Sequence, residues 1–179
     1  GQYRDLRSMP NMPPVSRRMV LVNSAALMAI SSLSACGFRP RGSADIPFAT
    51  LFLGVSEGSG LGNELRRNLR SSAKVQLVND VKAAEARLDI LSEAREKEVL
   101  SVNRDGRARE YTLRYRLNFR VHDGKGREFI PATDITLKRD ITFNEDARLA
   151  KESEEALLYR DMQTDMVQQL LRRLAAIQK

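Results

Sequence analysis

Residues 111–121 read YTLRYRLNFRV, and apolar and polar side chains alternate along the whole segment. The odd positions are all apolar or aromatic, and they are Tyr111, Leu113, Tyr115, Leu117, Phe119 and Val121. The even positions are Thr112, Arg114, Arg116, Asn118 and Arg120. A period of two residues is the signature of a β-strand, because successive side chains point to opposite faces. The segment therefore predicts a long strand with one covered apolar face and one basic face.

The segment that precedes this strand predicts its antiparallel partner. Asp105-Gly106 is a strong hairpin signal, and residues 87–102 lie on its other side. The middle of that stretch, Glu93 to Glu98, is highly charged, and its intrinsic propensity favours a helix. We still predict an extended, solvent-facing strand, because the turn brings it alongside residues 111–121.

The segment that follows predicts a third strand. Asp123 to Gly126 forms the next turn, and apolar residues then alternate with polar ones up to Phe143, with Arg139 alone on the apolar side. Three strands joined by glycine turns form an antiparallel meander with one covered face. Short apolar runs at 49–55 and 75–78 predict two further strands upstream.

Two segments have the period of a helix. Residues 61–71 place Leu61, Leu65 and Leu69 on one face. A longer helix follows Asn144 or Asp146, either of which can cap it, and a stripe spaced mainly by four residues runs along it. The stripe is Leu149, Leu158, Met162, Met166, Leu170 and Leu174. We expect it to lie on the apolar face of the sheet.

The start of the chain has the layout of a bacterial lipoprotein signal. Arg17 and Arg18 precede an apolar run that is too short and too polar to span a membrane, which takes ~20 apolar residues. The run ends in Leu33-Ser34-Ala35-Cys36, and Cys36 is the single cysteine of the chain. We expect removal of residues 1–35, lipid attachment to Cys36 and, because Gly37 follows, sorting to the outer membrane. The export route, general secretory or twin-arginine, stays open.

Composition limits the class of function. Of the 30 Lys and Arg, four precede Cys36, and of the 23 Asp and Glu, one does; 26 bases then face 22 acids, a net charge of +4. Such a small excess does not indicate nucleic acid. The single histidine, His122, directly follows the alternating strand, and we interpret it as a strand-end residue. With one histidine and the cysteine consumed by lipid, neither a histidine-containing triad nor a Cys/His zinc site can be assembled. We expect no enzyme activity and no cofactor beyond the covalent lipid.

The order of these parts resembles the LptE family of lipopolysaccharide-assembly lipoproteins, the outer-membrane partners of the β-barrel LptD. The resemblance rests on Cys36-Gly37-Phe38-Arg39-Pro40-Arg41-Gly42, on Arg104-Asp105-Gly106 with Ala108-Arg109-Glu110-Tyr111, and on Leu149-Ala150-Lys151. It implies an α+β fold, with two helices packed on one face of a mixed, mainly antiparallel sheet of about four strands. It also implies a domain that plugs and supports an LptD-like barrel and binds lipopolysaccharide during delivery to the outer leaflet.

The domain organisation then follows as upstream residues and signal peptide at 1–35, a lipidated tether at 36–47 and the LptE-like domain at 48–179. We expect the protein to be lipid-anchored in the outer membrane, on the periplasmic or barrel-lumen side. The expected lipopolysaccharide-binding residues are Arg104, Lys151, Lys138 and Arg139. Two alternatives remain open, a periplasmic lipoprotein enzyme that acts on envelope polymers through carboxylates and a tethering lipoprotein without a ligand.

Overall fold

A computed structural model of the chain describes residues 45–72 and 74–178, which form five strands and two long helices. The elements in chain order are β1 (Thr50–Gly54), α1 (Gly60–Ser72), β2 (Gln76–Val78), β3 (Ala86–Val102), β4 (Ala108–His122), β5 (Glu128–Thr142) and α2 (Arg148–Ala175). Single turns of 3-10 helix at Val81–Ala83 and Glu145–Ala147 precede β3 and α2. The predicted signal peptide, the predicted lipid attachment site Cys36 and most of the predicted tether lie outside the described residues.

The strands form one mixed sheet in the order β2-β1-β3-β4-β5. The two short strands pair in parallel, and β1 is also parallel to the start of β3. The long strands β3, β4 and β5 form the antiparallel meander that the two glycine turns predict. The α+β architecture is confirmed, with five strands where about four were expected.

The apolar face of β4 is the centre of the core. Leu113, Tyr115, Leu117, Phe119 and Val121 are all fully buried. They pack with Leu61, Leu65 and Leu69 of α1 and with Met162, Met166, Leu170 and Leu174 of α2. Both helices therefore cover the same face of the sheet, and the period-two and period-four patterns meet in a single core.

The first half of α2 departs from the expected stripe. Its six buried residues all lie from Met162 onward, and Leu149, the first residue of the predicted stripe, is 77% exposed. The capping also differs. Asn144 accepts a hydrogen bond from the backbone N–H of Asp146 and so caps the 3-10 turn, whereas the N-cap position of α2 itself has no side-chain bond.

The charged segment of β3 is a strand, in spite of its helix propensity. Glu93 to Glu98 pairs residue by residue with Leu117 to Thr112 of β4. Two irregularities, at Leu91 and Leu100, bracket this regular run. Tertiary pairing with β4 therefore decides the conformation here, as it often does when it competes with local propensity.

Candidate functional site

The sheet face that the helices leave uncovered is a lattice of paired charges, which we call the open face. The Arg114 guanidinium donates two hydrogen bonds to the Glu98 carboxylate, at 2.7 and 2.9 Å. Arg116 forms an ion pair with Glu96. At the far end of β4, Arg120 contacts Asp89 at 3.3 Å. The basic face predicted for β4 therefore exists, but acids of β3 neutralise most of it.

The turn between β3 and β4 presents Arg104 to solvent. Asn103 organises the turn, because its side-chain oxygen accepts hydrogen bonds from the backbone N–H groups of Asp105 and Arg107, both at 2.9 Å. Gly106 has φ +77, a left-handed conformation that suits glycine. Arg104 itself is exposed, as expected, and no ion pair holds it among the described residues.

Lys151 is more constrained than an early-helix surface lysine. Its ammonium donates to the Thr142 hydroxyl at 3.2 Å and to the Glu154 carboxylate at 2.8 Å, and its side chain is 21% exposed. Because Thr142 is the last residue of β5, these contacts tie the first turn of α2 to the end of the sheet. Thr142 lies opposite Glu110 in β4. Arg104 is six residues before Glu110, in the turn beyond the start of β4.

Lys138 and Arg139 lie on opposite faces of β5. Lys138 pairs with Arg114 in the sheet register and belongs to the open face, where it is exposed. Arg139 pairs with Leu113 and forms an ion pair with Asp165 of α2 at 2.7 Å. The position of Arg139 on the apolar side is thus explained by a helix-to-sheet salt bridge. Arg104 lies in the β3–β4 turn and Lys151 reaches the end of β5, whereas Lys138 lies four residues before that end, opposite Arg114 near the middle of β4, and Arg139 faces α2.

A layer of polar contacts between β3 and α2 was not predicted from the sequence. Lys97 forms an ion pair with Glu155 at 2.6 Å, and its ammonium lies 4.3 Å from the centre of the Tyr111 ring. The Tyr159 hydroxyl donates to the backbone carbonyl of Glu96 at 2.7 Å. These contacts replace apolar packing under the first half of α2, which explains why that half buries no residue.

Tyr115 adds a buried phenol to this layer. Its hydroxyl donates to Glu93 at 2.6 Å, and the Arg95 guanidinium lies 4.8 Å from the ring centre. Burial, together with the hydrogen bond to Glu93, raises the pKa of Tyr115 well above its usual value. Burial also raises the pKa of Tyr159. Both phenols are therefore neutral hydrogen-bond donors at physiological pH.

His122 is the last residue of β4, as predicted. One ring nitrogen, Nε2, lies 2.7 Å from Asp89, and the other, Nδ1, accepts from the backbone N–H of Gly124 at 3.0 Å. Within residues 45–72 and 74–178 no group of three or more His, Cys, Asp or Glu side chains is placed to hold a metal ion. No helix in the same part of the chain is long and apolar enough to cross a membrane.

The sequence matches a protein-family model, LptE, described as lipopolysaccharide-assembly, over residues 48–174. It is 30% identical over 154 residues to the LPS-assembly lipoprotein LptE of Pectobacterium atrosepticum, which corresponds to 84% of this chain and 82% of the relative.

Solved structures of lipoproteins share the fold. The solution structure of lipoprotein B from Nitrosomonas europaea is 35% identical, with a TM-score of 0.68, and the match covers 78% of this chain and 91% of the other. The crystal structure of rare lipoprotein B from Shewanella oneidensis is 28% identical, with a TM-score of 0.59 and coverage of 71% and 94%. A minor lipoprotein from Acinetobacter baumannii, at 23% identity and a TM-score of 0.60 over 73% and 93% of the two chains, shows the same fold.

Proposed function

The chain belongs to the LptE family of lipopolysaccharide-assembly proteins, and on that premise we propose that it binds lipopolysaccharide while it supports an LptD-like barrel. In this proposal a lipid on Cys36 anchors the protein in the outer membrane. The domain from residue 48 onward sits in the barrel lumen and receives lipopolysaccharide on its way to the outer leaflet. The observation that carries the proposal is the family match over residues 48–174.

Three cationic side chains, those of Arg104, Lys138 and Lys151, support the ligand part of the proposal. Lipopolysaccharide carries phosphates and carboxylates, which guanidinium and ammonium groups bind through charge-assisted hydrogen bonds. Arg104 is exposed at the turn, and Lys138 is exposed on the open face. Neither forms an ion pair within the described part of the chain, so each can bind an anion without first breaking an existing salt bridge. Lys151 would have to exchange its contacts with Thr142 and Glu154 for the ligand.

Of the four residues expected to contact lipopolysaccharide, Arg139 is the least available for binding. Its guanidinium is engaged by Asp165 and also donates to the backbone carbonyl of Lys138 at 2.9 Å. We therefore assign Arg139 a role in joining β5 to α2, and we keep Arg104, Lys138 and Lys151 as the proposed lipopolysaccharide contacts.

The test is lipopolysaccharide binding by matched glutamine variants at the two glycine turns. Arg104→Gln removes the charge at the β3–β4 turn, and Lys125→Gln removes an equally exposed charge at the β4–β5 turn, at the opposite end of the sheet. At low salt, where screening is weakest, we expect Arg104→Gln to bind lipopolysaccharide about five- to tenfold more weakly and Lys125→Gln to bind as the wild type does. Equal affinities of the two variants would remove Arg104 from the site.

Lys151 needs a variant that spares the fold. Lys151→Met keeps an unbranched side chain of similar length and removes the ammonium with its exposed contacts to Thr142 and Glu154, which contribute little to stability. We expect its melting temperature to change little and its lipopolysaccharide affinity to fall. A loss of stability with unchanged affinity would assign Lys151 a purely structural role.

A further inference from the structure

The long helix α2 consists of two parts that meet the sheet in different ways. All of its buried residues belong to the part from Met162 to Ala175, which we call the core half. The remaining part, from Arg148 to Asp161, we call the strap. Within the strap, Leu158 and Tyr159 pack against the core, but both stay partly exposed. The apolar burial that stabilises the core half is therefore small along the strap.

The strap also begins without the features that stabilise the N-terminus of a helix. Its N-cap residue, Ala147, makes no side-chain hydrogen bond, and no acidic residue lies in the first turn. Arg148 and Lys151 lie there instead, and the positive end of the helix dipole disfavours cations. An isolated helix shorter than ~12–15 residues is marginal in water. The strap therefore depends on its contacts with the sheet to remain an ordered helix.

The contacts that hold the strap to β3 are polar and reachable by water. Lys97 forms an ion pair with Glu155 at 2.6 Å, and the Tyr159 hydroxyl donates to the backbone carbonyl of Glu96 at 2.7 Å. The side chains of Lys97 and Glu155 are 33% and 24% exposed. A groove of about 420 Å³ is lined by Arg95 of β3 together with Glu155 and Tyr159 of the strap. Ion pairs that water reaches contribute much less to stability than buried apolar side chains do.

The boundary between the two parts of α2 is sharp. Asp161 is exposed, whereas Met162 is completely buried, as are Met166 and Val167 one turn later. Segments with few buried apolar contacts open locally at a lower free energy than segments with many. The boundary therefore separates a part of α2 that can open by itself from a part that opens only when the whole domain unfolds.

We propose that the strap opens from the sheet as one unit, with Met162 as the pivot, while the core half and the sheet stay folded. This inference goes beyond the proposed function and does not depend on it. Opening separates Glu155 from Lys97, whose ammonium lies 4.3 Å from the centre of the Tyr111 ring. The closed form therefore neutralises a cation on the helix side of β3, and the open form leaves that cation without its partner.

Hydrogen exchange of the full chain in detergent micelles, measured residue by residue, tests the proposal. We expect the amides of residues 152–161 to exchange at one common rate, roughly a hundredfold faster than those from Val167 to Leu174. The change in rate should fall between these groups, because amides 162–165 bond to carbonyls of the strap. Protection that rises gradually along 152–161 would indicate ordinary fraying of a helix end, and equal protection in both parts would indicate a rigid helix. Either result overturns the proposal.

A pair of variants tests whether the contacts with β3 hold the strap closed. Lys97→Gln removes the ion pair with Glu155 and leaves the sequence of α2 unchanged. Arg116→Gln is the matched control, because it removes an ion pair with Glu96 on the open face, away from the helices. At low salt we expect Lys97→Gln to raise the exchange rate of residues 152–161 about fivefold, and Arg116→Gln to leave it unchanged.

Exchange from Val167 to Leu174 is the internal check that both variants stay folded, and we expect it to be unchanged in each. Equal exchange rates of the strap in the two variants would overturn the proposal. It would also be overturned if Lys97→Gln accelerated exchange in the core half as much as in the strap, because the two parts would then open together.

Discussion

Leu117→Asp places a carboxylate at the centre of the core and tests the register of the whole sheet. Leu117 is fully buried on the helix side of β4, opposite Glu93 of β3 and Ile135 of β5. Within the described part of the chain no buried polar or charged residue is present to pair with a new charge there. The neighbouring Glu93 already accepts the hydrogen bond from Tyr115 and would repel a second carboxylate.

The expected loss of stability has two contributions, the missing leucine side chain and the buried carboxyl group. The loss of the leucine side chain and the partial cavity cost roughly 3–5 kcal/mol, as in other buried leucine truncations. Burial raises a carboxyl pKa by up to about 3–5 units, so keeping the carboxyl protonated at pH 7 costs roughly a further 4 kcal/mol. The total of roughly 7–9 kcal/mol is comparable with the whole stability of a domain, about 5–15 kcal/mol. We therefore expect Leu117→Asp to be largely unfolded, or to melt tens of degrees lower.

Thr136→Asp is the matched control for this experiment. Thr136 is exposed on the open face, next to Ile135 in sequence, and lies opposite Arg116, so a new carboxylate there meets water and a cation. Asn118 is a poorer control, because its amide donates to Asp134 at 2.9 Å and a carboxylate would replace that bond with repulsion. We expect Thr136→Asp to change the free energy of unfolding by less than about 0.5 kcal/mol. Urea unfolding monitored by circular dichroism checks both expectations. Equal urea midpoints for Leu117→Asp and Thr136→Asp would refute the register.

Three further predictions concern the anchor, the buried phenol and the hairpin turn. Cys36→Ala should leave an unprocessed or soluble species on fractionation, because acyl chains supply membrane affinity at ~0.8 kcal/mol per buried CH₂; normal processing and membrane retention would contradict it. Because burial raises the folded-state pKa of Tyr115, its contribution to stability is constant below the unfolded value near 10 and is lost as pH rises above it. The urea midpoint of the wild type should therefore fall as the pH rises from about 9 to about 11, and that of Tyr115→Phe should fall less steeply. Equal slopes for the two proteins would argue against this role of Tyr115. In Gly106→Ala the added Cβ would meet no atom within 4 Å, but the alanine would have to adopt φ +77. The variant should therefore lower the free energy of unfolding by about 1–2 kcal/mol. An unchanged urea midpoint would exclude this strain.

The elements that the sequence predicts best are those whose pattern is long and regular. The alternation at 111–121 runs for eleven residues, and a slip of one residue would expose the whole apolar set, so strand and register are both strongly specified. The charged run at Glu93 to Glu98 was predicted as a strand only because the Asp105-Gly106 turn lies between it and β4. Its own composition points to a helix.

The features that the sequence did not predict all depend on which residues meet in space. Leu149 fits the four-residue stripe but precedes the part of α2 that lies on the apolar core, so it is exposed. Helical spacing allows the i,i+3 pair Lys151–Glu154, but sequence periodicity contains no signal for the contact of Lys151 with Thr142 or of Arg139 with Asp165.

The most direct test of the account is co-purification of the lipidated, full-length protein after detergent extraction of outer membranes. The account predicts a stable complex with one large β-barrel protein of the LptD type, and it predicts that Cys36→Ala reduces the yield of the complex. The same complex should survive Arg104→Gln, because that residue is assigned to the ligand and not to the barrel. A protein that extracts as a free monomer, with hydrolase activity on envelope polymers, would contradict the account.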